Sequence, residues 1–95
     1  MPLGVLNMNF GRDSGDVNLQ KAGSIVKQLF ESIYENLPSL DFRILRIEKN
    51  TEKDIWKVHA SLFTSITSNK RVFYLVKVNV KTGEILSVGP SEKTE

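Results

Sequence analysis

Between Val17 and Leu37 the apolar residues Val17, Ala22, Ile25, Val26, Leu29, Phe30, Ile33, Tyr34 and Leu37 recur mostly at steps of three and four. That period places side chains on one stripe of an α-helix. Lys21, Lys27, Gln28, Glu31 and Glu35 fall on the opposite side. The stretch Gly11-Arg12-Asp13-Ser14-Gly15-Asp16 reads as a loop leading in, with Asp16 as the N-cap. Pro38 lacks an amide hydrogen and restricts Leu37 before it, so the pattern predicts a helix over 17–37, roughly 30 Å long at 1.5 Å per residue.

Beyond Pro38 the period shortens to two. Asp41 to Glu48 is rich in β-branched and aromatic residues, but Phe42 and Ile44 share one parity while Leu45 and Ile47 take the other. A bulge near Ile44 reconciles them. Trp56, Val58, Ala60 and Leu62 alternate with Lys57, His59 and Ser61, the pattern of a strand with one buried face. A polar run over 64–70 separates it from a long alternating strand, in which Val72, Tyr74, Val76, Val78 and Val80 interleave with Arg71, Phe73, Leu75, Lys77, Asn79 and Lys81. Gly83 in Lys81-Thr82-Gly83-Glu84 can adopt positive φ, which predicts a tight reversal into a short strand over 85–88.

The expected fold is α+β: one long N-terminal amphipathic helix packed on one face of an antiparallel meander of three to four strands. Its core pairs Ile25, Leu29, Ile33 and Leu37 with Trp56, Val58, Ala60, Tyr74, Val76 and Val78. Residues 1–16 form an N-terminal segment and loop, 17–88 a single domain, and 89–95 a flexible tail.

Composition narrows the function. The chain has 95 residues, of which 40% are hydrophobic, enough for one core. Thirteen Lys and Arg against eleven Asp and Glu give a formal net charge of +2, well short of the positive charge a dedicated nucleic-acid binder concentrates. With no cysteine, disulfides, thiolate metal sites and thiol nucleophiles are ruled out, and one histidine offers little for a zinc site. No cofactor is expected. The apolar residues Leu3, Val5, Leu6, Met8 and Phe10 lack the basic leader and cleavage site of a signal peptide, and no apolar run approaches the ~20 residues of a membrane span. The expectation is a cytoplasmic protein with no membrane partner.

Three segments together, Asp54-Ile55-Trp56-Lys57-Val58-His59-Ala60, Phe73-Tyr74-Leu75-Val76-Lys77-Val78 and Lys81-Thr82-Gly83-Glu84-Ile85-Leu86, resemble those of PepSY-like and gas-vesicle-protein-O-like small domains. In both groups a helix precedes a strand that a tryptophan opens, an alternating strand, and a hairpin turning on a Gly-Glu pair. The resemblance spans residues 17–88. It implies a helix-plus-meander fold and a role in protein contact, with protease modulation the activity associated with the PepSY-like group. The arginine- and tyrosine-rich terminal strand of the gas-vesicle pattern does not follow Leu86.

Residue chemistry is sparse. His59 lies on the outward parity with Ser61 two residues along, yet no acid is evident to complete a catalytic set, so it reads as a structural or exposed histidine. Asp13 and Asp16 lack the ligand alternation of a calcium loop, and Gly11 and Gly15 lack the Lys-Ser/Thr of a phosphate loop. Glu31 and Glu35 read as a solvated helix face.

The outward parity is more informative. It gathers Lys57, His59, Arg71, Phe73, Leu75 and Lys77 into a candidate contact surface that mixes cations with apolar groups. Uncovered Phe and Leu side chains mark contact sites. The expectation is a small non-enzymatic interaction or assembly module that contacts a protein partner or itself. A homodimer through the sheet is favoured, with the segment Leu3 to Phe10 as another cover for the patch. The alternative is weak binding of single-stranded nucleic acid, by stacking and phosphate neutralisation on the same basic face.

Overall fold

A computed structural model describes residues 16–91 of the chain. Helix α1 (Leu19–Ile33) is followed by a 3-10 turn (Leu37–Leu40) and four strands: β1 (Arg43–Asn50), β2 (Ile55–Phe63), β3 (Arg71–Asn79) and β4 (Ile85–Pro90). The strands form one antiparallel sheet in chain order, β1-β2-β3-β4, with α1 on one face. This is the expected α+β meander with four strands. Expectations for residues 1–15, including the N-terminal segment Leu3 to Phe10 and the Gly11 to Gly15 loop, lie outside the described residues.

The helix is shorter than its apolar period predicts. Asn18, not Asp16, caps it: the Asn18 side chain accepts the Lys21 amide at 2.8 Å. Asp16 instead pairs with Lys81 at 3.6 Å. At the other end the backbone becomes extended at Tyr34 (φ −112°, ψ 130°), four residues before Pro38. The Tyr34 ring stacks on Phe30 and its hydroxyl lies 3.5 Å from that of Tyr74, so tertiary contacts hold Tyr34 out of the helix. Pro38 then sits in the first turn of the 3-10 segment, which buries Leu37 and Leu40.

The helix is also rotated from the expected setting. Its buried row is Ala22, Gly23, Val26 and Phe30, while Ile25 and Leu29 flank it half-buried and Ile33 is 57% exposed. Ile33 therefore leaves the expected core. Gly23 lies in this buried row, where a Cβ would make ordinary van der Waals contact with Ile47 Cδ1 at 3.4 Å and Ile44 Cδ1 at 3.5 Å. In this setting α1 lies over β1 and β2. Phe30 then fits between Phe42 and Tyr74, with ring centroids 5.2 and 5.4 Å away.

The sheet follows its parity. Trp56 lies opposite Val78, Val58 opposite Val76 and Ala60 opposite Tyr74, all facing the helix. Val58, Ala60, Leu62, Val76 and Val78 are fully buried, and Tyr74 packs half-buried at the core edge. Each fully buried Val or Leu contributes about 1.5–3 kcal/mol of transfer free energy. The expected bulge falls between Ile44 and Arg46, displacing Leu45 and returning Ile44 and Ile47 to the inner face. Gly83 takes φ 79° in the β3–β4 turn. β4 runs through Pro90, and the Ser91 amide still donates to Phe73 O at 2.9 Å, so the tail boundary expected after Val88 moves outward.

Candidate interaction surface

The face of the sheet turned away from α1 is built by alternation along β2 and β3 and, on either side of its bulge, along β1. Cross-strand neighbours there are Lys57 with Lys77, His59 with Leu75, Ser61 with Phe73 and Phe63 with Arg71, while β1 adds Arg46 beside His59 and Glu48 beside Lys57. All six candidate residues thus share one face. Lys57, His59, Phe73, Leu75 and Lys77 occupy its middle, each half-buried by its neighbours. Phe73 and Leu75 are therefore less open than uncovered apolar groups would be.

Arg71 is at the end of this face and is engaged within the fold. Its Nη1 donates to Asp41 O at 2.9 Å and Ser61 Oγ at 3.0 Å, and its Nη2 pairs with the Asp41 carboxylate. The guanidinium also lies over the Phe63 ring, 4.6 Å from its centroid. Asp41 adopts a left-handed backbone (φ 53°) at the end of the 3-10 turn, which aims its carbonyl and carboxylate at Arg71. Hydrogen bonds from Arg71 first, then Arg43, hold the Asp41 carboxyl below its ordinary pKa. The cluster ties the end of the 3-10 turn, at Asp41, to Arg71 of β3.

His59 is not solvated as an outward histidine would be. Its side chain is 13% exposed and Nε2 lies 3.4 Å from Glu48 Oε1, while Nδ1 is buried without a hydrogen-bond partner among the described residues. Glu48 is the acid that sequence spacing does not reveal, since only the β1–β2 register brings it near. Ser61, the expected neighbour of His59, is fully buried and its hydroxyl accepts from Arg71. The structure thus gives His59 a carboxylate without giving it an accessible serine.

A shallow concavity of about 200 Å³ opens beside His59, lined by Leu45, Arg46, Phe73 and Ser91 together with Ala60 and Tyr74. Leu45 is 48% exposed because the bulge displaces it from the ladder. Arg46 reaches Glu48 at 3.0 Å. Leu45, Arg46, Glu48 and Ser91 also border this surface, where alternation along β2 and β3 alone does not place them. The break in parity around Ile44 is the one signal that pointed to Leu45.

Among the described residues no group of three or more His, Asp or Glu is placed to hold a metal ion, and no helix is long and apolar enough to cross a membrane. Compared with known proteins, the chain matches no protein-family model, no curated protein and no solved structure.

Proposed function

We propose that the protein is a non-enzymatic interaction module that contacts a protein partner, or a second copy of itself, through the outer face of its sheet. The observation that carries this reading is the face itself: α1 packs on the opposite side, and the centre of the outer side holds half-buried Phe73 and Leu75 beside a concavity edged by exposed Leu45. At about 200 Å³ that concavity suits one large side chain of a partner and is smaller than the ~300–1,000 Å³ of pockets that enclose small molecules. The PepSY-like resemblance supports the same role. The cysteine-free sequence supports a cytoplasmic setting.

Nucleic-acid binding has weaker support. Arg43, Arg46 and Arg71 are each paired with a carboxylate, which leaves fewer cations on this face to neutralise phosphates.

The test is capture of proteins from a native extract by the wild type and by a Phe73→Ser, Leu75→Ser variant, with light scattering of both across a concentration series. The expected result is a specific captured protein, or a concentration-dependent dimer, that the variant loses while retaining its fold by circular dichroism. Monomeric behaviour together with an identical capture profile for both proteins would overturn the proposal.

A further inference from the structure

We infer that the outer face recognises an acidic protein segment carrying an apolar anchor, rather than a second copy of the same face; the inference rests on the proposed interaction role. Charge carries it. Arg43, Arg46, Lys57, Arg71 and Lys77 on this face stand against two carboxylates, Asp41 and Glu48, a net of +3 on a chain whose formal charge is +2. The rest of the chain therefore sums to −1, and two such faces packed together would oppose +3 with +3. Like charges juxtaposed across an interface suppress that pairing.

The positive charge has a focus. Lys57 and Lys77 sit directly opposite each other across β2 and β3, an arrangement that costs stability in a sheet. The three arginines have carboxylate partners, whereas among the described residues neither lysine has one within ion-pair distance, and Glu48, beside Lys57 across β1 and β2, is engaged by Arg46 and His59. A carboxylate placed between the two ammonium groups relieves their repulsion. Four residues from Lys77 along β3, Phe73 borders the concavity, a separation of about 13 Å at ~3.3 Å per residue. The partner segment thus presents an acidic group about 13 Å from a large apolar side chain, four residues apart when extended. A polyanion without that anchor leaves the concavity empty.

The experiment titrates the isotopically labelled full chain with acetyl-Phe-Ser-Thr-Ser-Glu-Glu-amide and follows amide shifts in β2 and β3 by NMR. Parallel titrations use the same peptide with Gln for Glu, with Lys for Glu, with Ser for Phe, and a dT oligonucleotide. The expected result is saturable shifts at Lys57, Lys77 and Phe73 with the Glu peptide, and affinity lower by about tenfold or more for the Gln peptide, for the Ser-for-Phe peptide and for Lys57→Glu, Lys77→Glu protein. Raising the salt concentration should weaken the interaction. Equal affinity for Glu, Gln and Lys peptides, lost in Phe73→Ser, would leave the outer face a contact surface but overturn its acidic preference. No shifts with any peptide, or an oligonucleotide that binds more tightly than the Glu peptide, would overturn the inference; capture of a protein from extract still tests the broader role separately.

Discussion

Trp56 Nε1 donates a 2.8 Å hydrogen bond to the carbonyl of Val17, 39 residues earlier in the chain. Both residues are buried, so the indole satisfies a backbone group that water does not reach and fastens the approach to α1 onto β2. Replacing Trp56 with Phe keeps most of the apolar volume but orphans that carbonyl. The expected loss is about 1–3 kcal/mol in urea unfolding, with the native circular dichroism spectrum retained.

Leu62 is fully buried on the inner face of β2. Leu62→Ala removes its packing and leaves a cavity, for an expected loss of about 2–5 kcal/mol in denaturant unfolding. Ile33→Ala, at an exposed position on the same apolar period, is expected within about 0.5 kcal/mol of wild type. Similar losses at the two sites would contradict the observed rotation of the helix.

At Gly83 two constraints coincide. Its φ of 79° disfavours any Cβ, and a Cβ there would lie 3.2 Å from Ile25 Cδ1 and 3.3 Å from Val17 Cγ2. Gly83→Ala is expected to lower stability by more than about 1 kcal/mol, read as a reduced midpoint in urea. An unchanged midpoint would show that the turn relaxes.

The Asp41 cluster predicts a direction of acid sensitivity. The folded-state pKa of this carboxyl is depressed by Arg71 and then Arg43, so its contribution is fully present above the unfolded carboxyl pKa of about 3.9 and is lost as pH falls through the lowered folded value. Asp41→Asn should therefore lower Tm at pH 7 and converge with wild type in strong acid. Parallel Tm curves from pH 7 down to pH 2 would rule this contribution out.

Tyr34 carries the opposite sign at alkaline pH. The hydrogen bond with Tyr74, followed by burial, raises the Tyr34 phenol pKa, so its contribution is present below about pH 10 and is lost as pH rises through the raised value. Absorbance titration at alkaline pH should show Tyr34 ionising late in wild type. In Tyr74→Phe it should ionise earlier, and no change between the two would exclude the hydrogen bond as the main cause.

Local order was legible from the residues one at a time. Alternation around Trp56 and Tyr74, the broken parity at Ile44 and the glycine at 83 each report on a few neighbouring bonds, and each gave a correct face, bulge or turn. The spacing of apolar residues likewise announced the helix. Its limits and rotation were not legible, because Ile33 and Phe30 belong to the same apolar stripe; the packing of Phe30 between Phe42 and Tyr74 selects which one is buried.

By itself, then, the sequence determined the period of α1, β2 and β3, and with it which residues of β2 and β3 share a face, since side-chain direction follows from backbone repeat alone. Tertiary structure decided which charges on that face are spent and which are left. Arg71 meets Asp41 only because a left-handed residue ends the 3-10 turn beside β3, and Glu48 meets His59 only through strand register. Electrostatic pairing depends on distances between residues far apart in the chain, and those distances exist only once the helix, turn and sheet have packed.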